Sequence, residues 1–455
     1  MSVPKGFSFL NRPRFGFSVH SLRASLKLAL FLLVANGCSK KQPPPPETQP
    51  ASETPADSTS GDSSQTGLHA KPLAEIAALV PAPERTEWLQ NHFAWYVAPQ
   101  GPAPAGWPDV EKDPRPEACG TCHQQQYQDW KQSLHHKAMG PSVLGQLLDM
   151  ELDAPVLSIT CQRCHAPLAE QIPYLEKGKK NPVFMEGFRE QGLVCAACHV
   201  RNHEHFGPPP RKPKAEGAPQ GGGPHGGFTV KTEYESPAFC ASCHDFKPGG
   251  GMHGKLVQET AEEWRRTPFA AEGKTCQSCH MPDRRHLWKG IHDPEMVRSA
   301  VSISAECDGK VDSIIGFLSL TNVGAGHRFP TYTEPQVKLI FEQLDAKGKP
   351  IPGTHDEGII ARKVTEEMDR EVFDTRLLPG ETFTFPYRHS RDRNAVKVLA
   401  KVEVWPDEAY RLYFIKMLET PALRPEMPDV VKQAEAAKRL DTESRYVLWE
   451  RKIKL

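Results

Sequence analysis

The sequence predicts an α+β chain in which a mainly helical, loop-rich segment is followed by an antiparallel β-sandwich and a C-terminal helix. Three observations support this prediction. The pentapeptide Cys-x-x-Cys-His occurs five times between residues 119 and 280, in a segment that mixes helical periodicity with loops. Beyond residue 295, short runs alternate between apolar and polar residues. A final polar stretch carries apolar residues at helical spacing.

The first 38 residues have the composition of an export signal. Basic residues precede a short apolar run, Leu28 to Ala35, which is too short to span a bilayer. Ala35-Asn36-Gly37-Cys38 resembles a bacterial lipobox and predicts that Cys38 becomes the lipidated N-terminus of an exported chain. The alternative is an ordinary signal peptide in which Cys38 has no role.

Residues 39–67 predict a disordered tether, because four consecutive prolines and a Ser/Thr/Asp/Gly-rich run offer almost nothing to bury. Roughly 30 residues of such chain reach about 30 Å, enough to hold a folded domain away from a membrane surface. Three further segments are predicted: a domain at 68–294 that begins with one or two helices, a β-sandwich at 295–425 and a C-terminal helix at 426–455.

The repeated pentapeptide is the attachment site of a c-type haem. Two thiols reach the two vinyl groups of one porphyrin, and the adjacent imidazole reaches the iron from one face. The ten cysteines are Cys119, Cys122, Cys161, Cys164, Cys195, Cys198, Cys240, Cys243, Cys276 and Cys279. The proximal iron ligands are His123, His165, His199, His244 and His280. Zinc ribbons and redox disulfides also use Cys-x-x-Cys, but neither needs a His directly after the second Cys.

Five haems in residues 117–292 leave little polypeptide for each porphyrin, so the porphyrins themselves are expected to form much of the hydrophobic core. The copies are unevenly spaced, which disfavours a solenoid. Helices are expected at Gln124 to Lys137, Ser142 to Leu152 and Leu256 to Arg266. Residues 207–227, rich in Pro and Gly, are expected to form a flexible surface insertion.

The second axial ligand decides the role of each haem iron. A second His gives a low-spin iron suited to electron transfer, whereas an open position admits a substrate. Asn322 to Pro330 places two glycines beside His327, which lets the backbone approach a flat ligand closely and favours ligation by His327. His92 is a further candidate, although a packed or exposed His is the simpler interpretation.

Several motifs together resemble the multihaem cytochromes c related to the tetrahaem cytochrome of ammonia oxidisers. The motifs are Cys119-x-x-Cys-His123-x-x-x-Tyr127-x-x-Trp130-x-x-Ser133-x-His135, Gly192-Leu-Val-Cys195-x-x-Cys-His199 with His205, Gln258-Glu-Thr260-x-x-Glu-Trp264, Cys276-Gln-Ser-Cys-His280-Met281-Pro282 with His286 and Gly290-Ile-His292, and Asn322-Val-Gly-Ala-Gly-His327-Arg-Phe-Pro330. The resemblance covers roughly residues 117–332 and includes related pentahaem and octahaem cytochromes.

The resemblance implies that additional histidines are distal haem ligands: His135, His205, His292, His327 and, next, His286, with His253 as a weaker candidate. Helical register alone does not separate His135 from His136. His203 and His205 share a loop, so only one of them is expected to bind iron. His225 lies in the predicted insertion and is expected to be exposed.

Five alternating runs predict the antiparallel sandwich of about six or seven strands. They are Val297 to Ser304, Val311 to Leu320, Val337 to Leu344, Thr382 to Tyr387 and Val396 to Trp405. The terminal helix is predicted at about 427–448, with Val431, Ala434, Ala437 and Leu440 as its apolar stripe. Cys307 lies outside every motif and is expected to be a small, buried strand residue without a disulfide partner.

The composition gives 56 basic and 56 acidic residues, and this formal net charge of zero gives no indication of nucleic-acid binding. The propionates of five haems would require local Lys and Arg partners. The sequence therefore predicts an exported, membrane-anchored electron carrier with five covalently attached c-type haems. It would lie on the periplasmic side of a bacterial membrane or at the cell surface, lipid-anchored at Cys38. Its partners would be other redox proteins, and its oligomeric state is open.

An enzyme is the alternative, although the sequence favours a carrier. One haem without a distal ligand could act on a small nitrogen or sulfur oxyanion, as in some members of the resembling families. No Cys-x-x-Cys-Lys motif is present, so the motif typical of ammonia-forming nitrite reductases is missing. A haem-bearing scaffold for a partner protein is a third class, because the sandwich shows no evident catalytic set.

Overall fold

The structure is a computed structural model, which describes residues 80–151, 154–211, 224–246, 255–365, 368–419 and 428–455. The predicted signal, Cys38 and the predicted tether lie outside the described residues. Within those residues, no helix is long and apolar enough to cross a membrane. The first part of the chain is helical with short strands, and the second part contains two larger sheets, so the predicted α+β class is confirmed.

The helical segment consists of short helices joined by loops. They are α1 (Glu87–His92), α2 (Asp109–Lys112), α3 (Pro116–Gly120), α4 (Gln124–Gln132), α5 (Pro141–Met150), α6 (Pro155–His165), α7 (Cys195–His199), α8 (Pro237–His244), α9 (Thr260–Arg265), α10 (Pro268–Ala271) and α11 (Cys276–His280). Proline begins several of them, where its missing N–H is not needed. The helix expected at Gln124 to Lys137 ends early, because Ser133 has extended backbone angles and its hydroxyl donates to the carbonyl of Trp130.

Short strands connect these helices: β1 (Tyr174–Glu176), β2 (Lys179–Lys180), β3 (Val200–Arg201), β4 (Glu204–Gly207) and β5 (Thr229–Val230). β3 and β4 pair antiparallel, and β5 adds to β4 in parallel. The predicted insertion at 207–227 is therefore bounded by paired strands, while residues 212–223 lie outside the described part of the chain.

Two antiparallel sheets form the predicted sandwich. Their strands are β6 (Val301–Gly309), β7 (Ser313–Asn322), β8 (Gln336–Leu344), β9 (Asp356–Ile360), β12 (Thr382–Ser390), β13 (Lys397–Trp405) and β14 (Tyr446–Lys454), with a separate hairpin of β10 (Arg362–Val364) and β11 (Glu371–Asp374). The strand orders are β12-β7-β6 and β14-β13-β8-β9. Alternate side chains of both sheets, including Leu318, Phe341, Tyr387 and Val402, form one buried core.

Two predictions at the ends of the sandwich are wrong in part. Residues 294–300 form a helix, α12 (Pro294–Ala300), rather than the start of a strand, because Asp293 caps the backbone N–H of Met296 and Pro294 begins the first turn. The predicted C-terminal helix stops at Glu443. The last residues form β14, which pairs with β13 along an edge that would otherwise be open.

Two helices after the sandwich strands pack on the helical segment. They are α13 (Glu408–Glu419), which the sequence analysis missed, and α14 (Pro428–Glu443), which it predicted. Phe414, Ala434 and Ala437 are fully buried in this contact. Gly145 of α5 lies beneath Phe414, so close that an added Cβ would be 3.2 Å from the ring. The C-terminal helices are thereby fixed beside the segment that carries the haem motifs.

We expect Phe414→Ala to lower the free energy of unfolding of the haem-loaded protein by about 3–5 kcal/mol, because it leaves a cavity between three packed helices. Chemical denaturation followed by far-UV circular dichroism measures this. Leu412→Ala, on the exposed side of the same helix, is the matched control and should change the stability by no more than about 0.5 kcal/mol. Equal effects of the two variants would contradict the packing described here.

Candidate haem-binding site

All five Cys-x-x-Cys-His motifs contribute to the wall of one continuous cavity of about 1950 Å³. Pockets for a single small ligand typically measure roughly 300–1,000 Å³, so this cavity has room for several large groups. Its wall is formed by the helical segment, by the loop around His327, and by residues of α13 and α14. The predicted attachment sites therefore open into one shared space.

Each motif forms, or directly follows, a short helical turn. α6 and α8 end at the motif histidine, α7 and α11 span their motifs, and α3 contains Cys119. A turn of helix puts the first Cys and the His, four residues apart, on the same face. The described motif cysteines are free thiols, as thioether formation requires. Within the described residues, no three Cys, His, Asp or Glu side chains gather in the manner of a zinc site.

Cysteines of different motifs contact one another. Three pairs of thiols lie close enough to influence each other's pKa: Cys119 and Cys195, Cys164 and Cys243, and Cys240 and Cys276. The first motif therefore adjoins the third, and the fourth adjoins both the second and the fifth. Cys198 of the third motif also influences the pKa of the fourth-motif thiols through its charge. The attachment points thus form a connected series rather than five separate sites.

Four of the five motif histidines form a hydrogen bond at Nδ1. In three of them Nδ1 donates to a backbone carbonyl oxygen: His165 to Ala138 (2.7 Å), His199 to Phe206 (2.9 Å) and His280 to Lys289 (2.7 Å). The Nδ1 of His244 instead meets the hydroxyl of Tyr332 at 2.6 Å. These contacts fix the ring orientation and leave Nε2 available, the arrangement usual for metal-binding His.

Burial keeps several of these imidazoles neutral. It lowers the pKa of His199 and His244 to about 4 and also lowers the pKa of His165. A metal ligand must be unprotonated, so burial already places these side chains in the form that binds iron.

Four motif histidines each face a second histidine. The ring centres are 6.5 Å apart for His123 and His225, 6.2 Å for His199 and His286, 6.2 Å for His244 and His135, and 6.3 Å for His280 and His327. A metal–imidazole nitrogen distance of about 2 Å puts two imidazoles on opposite sides of one metal with ring centres roughly 6 Å apart. The four pairs therefore fit haem irons bound by two histidines each.

Three of the predicted distal ligands, His135, His286 and His327, belong to these pairs. The surroundings of the two side chains distinguish His135 from His136. The ring of His136 lies tilted against Trp130 with ring centres 4.3 Å apart, and its Nδ1 meets a backbone carbonyl. His92 is packed, because its Nε2 lies 2.7 Å from the carbonyl oxygen of Cys198.

The structure places His225 nearer to the first motif than expected, and the ligand role of His205 stays a prediction. His225, which was expected to be exposed, faces His123, and His205 stacks on His225 with ring centres 4.0 Å apart. The backbone of His225 is fixed in a left-handed turn (φ 47°), and its N–H donates to Glu111. Two glycines follow His225, a feature also found beside His327, and this could have identified it from the sequence.

His292 also differs from its prediction as a distal ligand. Its Nε2 donates to Asp407 Oδ2 at 2.8 Å, so that nitrogen is engaged by a carboxylate. Its Nδ1 is buried and has no hydrogen-bond partner among the described residues. His292 lines the common cavity but is not paired with a motif histidine in the described part of the chain.

The surroundings of His165 are unlike those of the other four motif histidines. No aromatic ring of the described residues contacts its imidazole. The C-terminal helices form part of the cavity wall near His165. Asp441 accepts a hydrogen bond from Ser142, which follows Ala138 by four residues, and the carbonyl oxygen of Ala138 accepts the hydrogen bond from His165. Asp441 is 4% exposed, and its Oδ2 has no partner within the described residues.

Other residues position the distal histidines and were missed by the sequence analysis. Buried Asp129 accepts hydrogen bonds from the backbone N–H of His286 and from Arg285. The side chain of Asn322 donates to the carbonyl of His327 at 3.0 Å and holds that loop against the sandwich. Gly192 has φ 69°, and an added Cβ would lie only 2.5 Å from the carbonyl oxygen of His135.

Comparisons with known proteins agree with this site. Residues 118–200 match the family model described as cytochrome c554 and c-prime. The chain thus resembles the multihaem c-type cytochromes in a segment that contains three of its motifs.

A similar fold is found in the crystal structure of a penta-heme cytochrome c552 from Thermochromatium tepidum, with 16% sequence identity, a TM-score of 0.51, and coverage of 76% of this chain and 100% of that chain. A protein from Bordetella pertussis described as ApaA matches 23% of this chain and 74% of its own at 13% identity, but its TM-score of 0.13 supports no argument. No curated protein matches the chain.

Proposed function

We propose that this protein is an exported electron carrier with five covalently attached c-type haems that pass single electrons between other redox proteins. The observation that carries the proposal is the pairing of four motif histidines with a second histidine at 6.2–6.5 Å. A haem iron with two histidine ligands keeps the same coordination in both oxidation states. Electron transfer then requires little rearrangement of the chain.

The proposed roles follow from the geometry. The ten motif cysteines would form thioethers, and the five motif histidines would be proximal ligands. His225, His286, His135 and His327 would be the distal ligands opposite His123, His199, His244 and His280. Burial lowers the pKa of His199 and His244 to about 4 and keeps both imidazoles neutral, and hydrogen bonds from Nδ1 orient His199 and His280.

The contacts between motifs support a path for electrons. The third motif adjoins the first and the fourth, and the fourth adjoins the second and the fifth. We infer that the third and fourth haems connect the remaining three. Lys137, Lys274, Arg284 and Lys289 line the cavity and are suited to bind propionates.

We expect the haem-loaded protein to contain five haems per chain and His286→Ala to convert one low-spin haem to high spin, because that iron loses an axial ligand. Pyridine haemochrome titration and electron paramagnetic resonance measure these quantities. Added imidazole should restore the low-spin signal of His286→Ala.

His136→Ala, which removes a neighbouring cavity-wall histidine outside the four pairs, is the matched control and should leave all signals unchanged. Two or fewer haems per chain would overturn the proposal, and an unaltered spectrum of His286→Ala would overturn the ligand assignment.

We also propose that the mature protein is anchored to a membrane by a lipid on Cys38. The lipobox-like sequence that ends at Cys38 and the Pro-rich stretch after it support this proposal. Cells labelled with palmitate should incorporate the label into the wild-type protein. Cys38→Ala should abolish labelling and move the protein to the soluble fraction, and a Cys38→Ala protein that stays in the membrane fraction would refute the anchor.

A second candidate function is oxidoreductase activity at the haem of the second motif. The observation that favours it is the absence of a histidine opposite His165 within the described residues, which do not include the weaker candidate His253. Glu334, Asp407 and Asp441 line the same cavity. Burial raises the pKa of Glu334 and raises the pKa of Asp441 to about 7, so the negative charge of Asp441 favours neutral ligands over oxyanions only above pH 7. A small nitrogen or sulfur compound would bind directly to that iron.

If this iron is open, the oxidised protein should show one high-spin haem, and imidazole or hydroxylamine should bind to it more tightly than azide. Optical titration and electron paramagnetic resonance distinguish these cases. Above pH 7, where Asp441 is ionised, Asp441→Asn should strengthen azide binding, because it removes a negative charge from the wall. Below pH 7 the substitution should have a smaller effect, because Asp441 then carries a proton. A spectrum with only low-spin haems would exclude the second function and leave the carrier function intact.

A further inference from the structure

Arg201, two residues after the third motif, has an unusual set of hydrogen-bond partners: all of them are backbone carbonyl oxygens. Its Nε and Nη2 donate to the backbone carbonyl oxygen of His92 (2.9 and 2.5 Å). Its Nη1 donates to Ala196 (3.1 Å) and Val200 (2.6 Å), and its Nη2 also donates to Ala197 (2.8 Å). Within the described residues, no carboxylate forms an ion pair with this guanidinium.

Helix ends explain how the chain holds this cation without a carboxylate. His92 is the last residue of α1, and Ala196 and Ala197 belong to the single turn of α7. The last carbonyls of a helix lack intrahelical partners and carry partial negative charge. Arg201 therefore satisfies several of these carbonyls at once, but they neutralise only part of its charge.

The neighbouring side chains do not neutralise it either. Burial, and then the charge of Arg201, lowers the pKa of His92 to about 3, so His92 is neutral. The hydroxyl of Tyr234 donates to the carbonyl of Cys198, and burial raises the pKa of that hydroxyl. Glu170 is the one carboxylate whose charge acts on Arg201, and its effect is weaker than those of the nearby thiols and Tyr234.

Arg201 remains a cation at neutral pH. A guanidinium loses its proton only far above this pH. Arg201 donates to the carbonyls of Ala196 and Ala197, which lie between Cys195 and Cys198 of the third motif. The next residue, His199, faces His286 across the cavity. A full positive charge therefore lies in the protein interior next to one haem attachment site.

We propose that Arg201 raises the reduction potential of the haem attached at Cys195 and Cys198. Reduction removes one positive charge from the iron, and a nearby cation favours the state with less positive charge. The interaction is stronger in the protein interior than in water, because the surroundings screen it less. Arg201 thus acts on the iron as a positioning and charge-bearing residue. The inference rests on haem binding at the third motif, as proposed above.

The test is a redox titration of the complete haem-loaded protein, monitored by electron paramagnetic resonance. Arg201→Gln should lower the midpoint potential of one haem and leave the other midpoints unchanged. The affected signal should be the one lost in His286→Ala. Arg201→Lys, which keeps the charge but not the set of hydrogen bonds, should retain a midpoint close to that of the wild type.

Two further variants keep the test decisive if Arg201→Gln assembles poorly. Glu170→Gln removes the carboxylate that acts on Arg201 and should shift the same midpoint upward. Arg362→Gln removes a buried arginine that is paired with Glu371 and, within the described residues, has no contact with a Cys-x-x-Cys-His motif, and it should shift no midpoint.

Unchanged midpoints in Arg201→Gln and Glu170→Gln would overturn the inference, as would equal shifts in Arg201→Gln and Arg201→Lys. Failure of the underlying function gives a different result: mass spectrometry would find the peptide with Cys195 and Cys198 free of haem.

Discussion

The structure depends on one constraint, the delivery of two neutral imidazoles to opposite sides of a common interior space. For the motif histidines, local structure is sufficient to place the imidazole, because a single helical turn fixes each of them relative to its cysteines. The opposing histidines come from distant parts of the chain: His225 lies beside the short strand β5, His135 follows α4, and His327 is held by the sandwich. The β-sandwich is therefore part of the site, since Asn322 at the end of β7 fixes the loop that carries His327.

The distribution of apolar residues explains why the two halves of the chain fold differently. The sandwich has a continuous core in which Phe341, Tyr387 and Leu318 interlock between two sheets. The helical segment has only small clusters around the edge of the cavity, such as the one with Trp130 and Phe188. Its helices cannot pack against each other across a space of about 1950 Å³. Bound porphyrins would supply the apolar surface that these helices need, so haem attachment and folding are coupled in this segment.

The sequence was sufficient wherever a local pattern determines the structure. Spacing alone located the five motifs, and alternation located β8, β12 and β13 within a few residues. Sequence analysis failed where contacts with residues far away in the sequence determine the local structure. The residues of β14 follow a helix and become a strand because the edge of β13 is available. His225 was misjudged because a Pro- and Gly-rich segment looks like a free loop, whereas the contact with Glu111 and the pairing of β4 with β5 return it to the cavity.

Chemically identical haems can differ in potential only through their surroundings, and the described residues provide such differences. His199 and His280 each donate to a backbone carbonyl, whereas His244 meets the phenol of Tyr332, which is a different acceptor for the same Nδ1–H. The third motif has a lone guanidinium beside it, and the cavity wall near the second carries carboxylates. Covalent attachment fixes where the haems lie, and these second contacts give each iron its own electrostatic environment. The haems would therefore differ in reduction potential, and the side chains around each iron would determine which haem an electron occupies.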